Sequence, residues 1–202
     1  MTVRFLALGD SYTIGESVDP AERWPRQLAA RLRADGLTVA EPELIAQTGW
    51  TTAELSAALT AADPQGPYDL VSLLIGVNNQ YRGRPVDEYR DEFTALLERA
   101  LGLAGGHAGR VLVLSIPDWG VMPYCGATGR DPAAVAAEID RFNAVNRAVA
   151  EAQGARYVDV TPASRRAAQD SELVASDLLH PSGAMYAEWA RLALPEARAA
   201  LR

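Results

Sequence analysis

Apolar residues recur along the chain in two rhythms. Short, almost unbroken apolar runs occupy residues 3–8, 44–46, 68–75, 110–115 and 155–160, each bounded by polar or turn-forming residues. Runs of this length between turn signals predict strands buried on both faces. Between them the apolar positions spread to helical spacing. In residues 22–34, Trp24, Leu28 and Leu32 form one stripe, and Asp35-Gly36 stops it. Residues 52–62 follow Thr51 or Thr52 as N-cap and end at Asp63-Pro64. Residues 85–103 turn Phe93, Leu96, Leu97 and Leu101 inward, with Pro85 in the first turn. Residues 132–153 carry Val135, Ile139, Phe142 and Val149 on one side. Residues 182–201 form a last helix that Pro195 is expected to kink or divide. Residues 12–20 and 80–84 read as loops, 161–179 as a long loop holding one helical turn. Residues 116–131 read as an irregular segment, long for a plain connection and so placed at the rim of a site.

Strand and helix alternate from end to end, with no linker, repeat or low-complexity tract. This predicts one α/β domain over residues 1–202: a three-layer, doubly wound, flavodoxin-like fold. Its five-stranded, mainly parallel sheet carries helices on both faces. Right-handed crossovers then bring the loops after the first four strands to one edge. In such sheets ligands bind outside the carboxyl ends of the strands.

Composition narrows the classes. The 202 residues are 49% hydrophobic and 22% charged, as in ordinary soluble proteins, with a net charge of −7. That balance opposes a nucleic-acid partner, which needs a basic footprint. No stretch has the length of a membrane span or the pattern of a signal peptide, so no membrane insertion and a cytoplasmic location are expected. Cys125 is the only cysteine, which excludes an internal disulfide; with His107 and His180 as the only histidines, a zinc site is not expected.

The expected sheet edge gathers chemistry. The first strand runs into Gly9-Asp10-Ser11-Tyr12, the second leads to Gly49, and the third leads to Gly76-Val77-Asn78-Asn79. The last loop delivers Asp177-Leu178-Leu179-His180 before the final helix. Each piece has an ordinary structural explanation: Gly-Asp-Ser and Asn78 as turn residues, Gly49 as a positive-φ position, Asp177 as a helix-start acid. Together they supply what acyl transfer needs. Ser11 can be the nucleophile, His180 the base, and Asp177, three residues before it, the group that orients the imidazole. The Ser11 and Gly49 N–H groups and the Asn78 side-chain amide can form an oxyanion hole. Asp10, the other acid beside Ser11, suits a structural role accepting backbone N–H bonds in the turn.

These four blocks, in this order over nearly the whole chain, resemble the SGNH hydrolases, also called the GDSL esterase and lipase family. The resemblance implies a serine hydrolase acting on carboxylic esters through an acyl-enzyme. It implies Ser11, Asp177 and His180 as catalytic residues, Ser11, Gly49 and Asn78 as the oxyanion hole, and no metal or organic cofactor. The chain departs from the family pattern at Tyr12, where leucine is usual, and at Asn79, where aspartate is frequent. Tyr12 is expected to alter the packing beneath the turn and leave the chemistry intact; Asn79 affects the hydrogen bonding around Asn78.

Trp50, Asn79, Tyr81, Arg82 and Trp119 follow strand ends and are candidates for a substrate pocket. For each, peripheral core packing or solvation is an equal alternative, and Arg82 can pair with an internal carboxylate such as Asp87. His107 is expected on the surface and Cys125 as a bystander. The expected partner is a small-molecule ester. The short chain, without a lid or lipid-docking helix, favours short-chain acyl or acetyl esters, with carbohydrate O-deacetylation and thioester or lysophospholipid cleavage as alternatives on the same fold. A non-catalytic small-molecule binding module is the reading from another class. Oligomeric state is not legible in the sequence.

Overall fold

The computed structural model describes residues 2–202. Its centre is a five-stranded sheet of order β2-β1-β3-β4-β5, with every named pairing parallel. The strands are β1 (Phe5–Gly9), β2 (Glu43–Ala46), β3 (Leu70–Leu74), β4 (Val111–Leu114) and β5 (Arg156–Val158). Every residue of β1, β3 and β4 is buried, while β2 and β5 at the edges are partly open. Covering both faces of the inner strands is what makes their sequences continuously apolar rather than alternating.

The longer helices are α2 (Trp24–Ala34), α3 (Thr52–Ala62), α5 (Val86–Leu103), α7 (Pro132–Ala152) and α9 (Gly183–Ala200). Helices α2 and α9 pack together on one side of the sheet; α3, α5 and α7 pack in sequence on the other. The stripes expected from spacing are buried, including Trp24, Leu28 and Leu32 of α2 and Phe93, Leu96 and Leu97 of α5. Pro195 lies inside α9 without dividing it.

The remaining helices are short, and two of them correct the loop expected from sequence. Ser11–Ile14 (α1) and Val77–Tyr81 (α4) are single helical turns that begin where β1 and β3 stop. Four or five residues carry too little periodicity to announce a helix, yet both turns are largely buried. The segment 116–131 contains a 3-10 turn (Trp119–Val121) and α6 (Pro123–Thr128). The last loop contains α8 (Thr161–Ser164) and two 3-10 turns, Arg165–Ala168 and Ser171–Leu173.

Register places the site. Gly9, the last residue of β1, pairs with Ala46 of β2 and with Leu74 of β3, so the three strands end level. A Cβ at Gly9 would lie 2.1 Å from Thr13 Oγ1 and 2.4 Å from the Leu74 carbonyl oxygen. Only glycine lets the chain turn from β1 into α1 this tightly. At the matching point after β3, Gly76 holds φ +126°, and a Cβ there would lie 2.5 Å from the Tyr89 hydroxyl. Tyr89 is fully buried and its hydroxyl donates to the Ile75 carbonyl, so it has no room to yield. Gly76→Ala is therefore expected to destabilise the fold by about 3 kcal/mol. Urea unfolding would measure it, and a loss below about 1 kcal/mol would show that the Tyr89 ring can move aside.

Candidate active site

The turn after β1 is set by its aspartate. Asp10 caps α1, its Oδ1 accepting the Tyr12 N–H at 3.0 Å. Asp10 is fully buried and its Oδ2 has no partner. Burial pushes its carboxyl up to about 7, against the backbone N–H bonds from Tyr12 and from Asp10 itself. Ser11 follows at the first position of α1, with its hydroxyl on a cavity and free of any hydrogen bond among the described residues.

The cavity, of about 160 Å³, lies over the carboxyl ends of β1, β2 and β3. Ser11, Gly49, Asn78 and His180 all line it, so four of the five residues singled out for chemistry meet there. Gly49 has φ +86°. Among the described residues neither the Ser11 nor the Gly49 N–H donates to an acceptor. The Asn78 side-chain amide donates to the Trp50 carbonyl at 2.9 Å, which orients it and leaves its second N–H for the cavity. Three donors thus surround one space without being spent elsewhere, as an oxyanion site requires.

His180 comes from the far end of the chain. Its Nδ1 lies 2.6 Å from Asp177 Oδ2 and its backbone N–H donates to Asp177 Oδ1 at 2.9 Å. A proton held on Nδ1 by the carboxylate leaves the Nε2 lone pair for a proton from a hydroxyl. Partial burial pushes the Asp177 carboxyl up. The hydrogen bonds from the His180 N–H, the Ser17 hydroxyl, the His180 ring and the Leu179 N–H outweigh it and hold the group well below the usual carboxylate range. The turn between them is strained: Leu178 has φ +65° and is 55% exposed.

Tyr12 is buried and lines the cavity, its ring edge-on to His180 at 5.7 Å and to Trp189 at 6.0 Å. Burial, with the nearby Asp10, Asp118 and Asp177 charges, pushes its hydroxyl well above the ordinary tyrosine range, so it stays neutral. The residue that departs from leucine is a wall for the imidazole, not packing beneath the turn alone.

The pocket candidates divide. Tyr81 and Trp119 line the cavity, their rings 5.4 Å apart. Trp119 is fixed from behind: its Nε1–H donates to Gln80, Gln80 donates to Glu138, and Arg130 pairs with Glu138 while lying 5.3 Å over the Trp119 ring. Trp50, Asn79 and Arg82 do not line it. Trp50 packs against the core. Asn79 is buried, accepts the Thr52 N–H at 3.1 Å and donates to Thr52 Oγ1 at 2.6 Å, tying α4 to the start of α3. Arg82 donates to the Gly49 carbonyl at 2.6 Å and pairs with Glu54, while Asp87 pairs with Arg90. These side chains brace the loop that carries Gly49. Tyr124, Leu179, Thr48 and Val77 complete the cavity wall and were not legible in the sequence. Nothing in the local pattern of residues 116–131 distinguishes Tyr124, which arrives through the fold of α6.

With the geometry in place, the comparisons decide the family. Residues 7–188 match the GDSL-like lipase/acylhydrolase family. The chain belongs to that family. It is a GDSL-type serine hydrolase of carboxylic esters, and the match spans all four motif blocks. A search of curated protein sequences found no match. Among solved structures, this GDSL hydrolase shares its fold with TesA at TM-score 0.75 and 21% identity, with all of both chains covered. It aligns with the psychrotrophic esterase EstA from Pseudoalteromonas sp. at TM-score 0.72 and 19% identity, over 98% of this chain and 96% of that one. For Axe2, an acetylxylan esterase from Geobacillus stearothermophilus, the values are 0.73 and 21%, over 96% and 94%. Among the described residues, no cluster of three or more His, Cys, Asp or Glu side chains could hold a metal, and no helix is long and apolar enough to cross a membrane.

The buried Asp10 predicts a pH dependence of stability. Because its folded value is raised, the folded chain keeps a proton that the unfolded chain releases above the ordinary value of 3.8. Its contribution to stability is complete below that value and is lost as pH rises through about 7. Asp10→Asn stays neutral throughout. Its stability relative to wild type should increase between about pH 5 and about pH 8, by no more than about 4 kcal/mol. Urea unfolding at both pH values measures this; an unchanged difference would refute a proton on Asp10.

Proposed function

We propose that this GDSL hydrolase cleaves esters of short acyl chains, with Ser11 as nucleophile, His180 as general base and Asp177 as its orienting acid. The observation that carries this reading is the shared cavity. The unbonded Ser11 hydroxyl and the ring of His180, whose Nδ1 is held by Asp177, line the same space. In the reaction His180 Nε2 takes the Ser11 proton as Oγ attacks the ester carbonyl. The oxyanion lies toward the Ser11 and Gly49 N–H groups and the Asn78 amide. Collapse expels the alcohol, which takes the proton from His180. Water, deprotonated by His180, then attacks the acyl-enzyme, and collapse releases the acid as Ser11 Oγ takes that proton back from His180.

The cavity supports a short acyl group. Its volume of about 160 Å³ is well below the roughly 300–1,000 Å³ of sites for drug-sized ligands. Its wall of Val77, Tyr81, Trp119, Tyr124 and Leu179 is apolar. The exposed Tyr81 and Tyr124 at its mouth also give a flat aromatic surface on which a sugar ring can rest, which favours acetylated carbohydrate as the second reading.

Ser11→Ala and His180→Ala should each lower kcat on p-nitrophenyl acetate by about 10³-fold or more while leaving the melting temperature nearly unchanged. A fluorophosphonate probe should label wild type at Ser11 only. Full turnover in either variant would overturn the roles given to Ser11 and His180, and no label would leave the fold as a binding module.

A series of p-nitrophenyl esters should show kcat/KM falling steeply as the acyl chain lengthens beyond a few carbons. Tyr81→Ala, which opens one wall, should raise relative activity on the longer members by about tenfold. Rising activity with length in wild type would contradict the short-acyl reading, and faster hydrolysis of acetylated xylo-oligosaccharides than of simple acetates would favour the sugar substrate.

A further inference from the structure

Asp177 is held from two directions. Its Oδ1 accepts the Leu179 and His180 N–H groups, both at 2.9 Å, within its own turn. Its Oδ2, the oxygen that meets His180 Nδ1, accepts a second hydrogen bond at 2.7 Å from Ser17 Oγ. Ser17 follows α1, the helical turn that carries Ser11, and lies 160 residues from Asp177 in sequence. An ionised carboxylate has only acceptors to offer, so the Ser17 hydroxyl is the donor.

The segment holding Ser17 is built to reach. Gly15 closes α1 in the left-handed conformation, and the Glu16 N–H donates back to the Ser11 carbonyl at 3.0 Å. Ser17 itself sits at φ +64°, a left-handed conformation that costs a residue with a side chain. Beside it, the Glu16 carboxylate accepts from Thr48, the neighbour of Gly49. Two consecutive side chains therefore connect the segment after α1 to both other parts of the site. Backbone donors of its own turn hold Asp177 Oδ1, and Ser17 adds to Oδ2, beside the imidazole, a donor that comes from outside the turn.

We propose that Ser17 is a positioning residue for the ester hydrolase, donating to Asp177 Oδ2 so that the carboxylate holds His180 in register with Ser11. This rests on the assignment of Ser11, His180 and Asp177 as the catalytic set. Ser17 touches neither substrate nor a reacting atom. Its hydroxyl holds Oδ2 from outside the Asp177 turn, and its place just after α1 couples the nucleophile to the base.

Two variants separate the hydroxyl from the backbone. Ser17→Gly removes the hydroxyl and relieves the left-handed conformation; Ser17→Ala removes the hydroxyl and keeps that cost. Both should lower kcat on p-nitrophenyl acetate by about tenfold with KM changed by less than about twofold, although Ser17→Ala should melt lower. Added to Asp177→Ala, the Ser17→Gly change should cost less than about twofold, because its acceptor is gone. Wild-type kcat in Ser17→Gly would overturn the proposal, as would the same fold-loss in both backgrounds, which marks a loop staple only. Ser11→Ala serves as the control. If it abolishes turnover while Ser17→Gly keeps wild-type kcat, only the role of Ser17 falls; if it retains turnover, the catalytic assignment falls and Ser17 with it.

Discussion

The close approach at Gly9 is the constraint on which the rest of the site depends. The space where its side chain would stand is taken by the Thr13 side chain and by the carbonyl oxygen of Leu74. The chain can therefore leave β1 and enter α1 with no intervening loop, and Ser11 stands two residues beyond the end of β1. Parallel pairing of Gly9 with Ala46 and Leu74 does the rest. Donors that follow β2 and β3 arrive at the same height as the serine. In a doubly wound sheet of this order, the crevice beside the first strand is where the helices part to either face, so the space between them is open to a ligand.

Around that opening, polar groups support one another in preference to solvent. Asp177 receives four hydrogen bonds, two from its own turn and two from side chains. Asn78 is oriented by the Trp50 carbonyl, Gly49 is braced by Arg82, and the start of α3 is tied to α4 by Asn79. Such bonds add little net stability individually. Their effect is to fix positions to within the fraction of an ångström that preorganised stabilisation requires. Asp10 is the exception, a buried carboxyl with one unpartnered oxygen at the start of the helix that carries Ser11. Its proton, retained to about pH 7, removes the charge that burial would otherwise penalise.

The apolar wall is organised by a separate network. Gln80, Glu138 and Arg130 hold Trp119 by its indole N–H and from above its face, and Tyr81 packs edge-on against it. A wall fixed from outside the cavity is held in place without turning polar groups into it. Tyr12 packs edge-on against the His180 ring in the same way while remaining neutral. The family's usual leucine would supply bulk at this point; tyrosine supplies a flat edge and extends to Trp189 of α9.

By itself the sequence determined the order of strands and helices, the parallel sheet and the blocks that carry Ser11, Gly49, Asn78, Asp177 and His180. Apolar periodicity reports burial of each element, and the motif residues are spaced by whole elements whose ends a parallel sheet aligns. Only the tertiary structure decided what surrounds them. Ser17 looked like one polar residue in a loop because its partner, Asp177, is brought close by the return of the last loop over the first. Tyr124 and Leu179 became cavity wall, and Trp50, Asn79 and Arg82 became braces, through the paths of loops and short turns. Local spacing reports which face of an element a residue occupies; contacts across loops depend on where two distant chain segments cross, and no periodicity records that. The single-turn helices α1 and α4 stand between these cases, too short to announce themselves and shaped by the strand ends they extend.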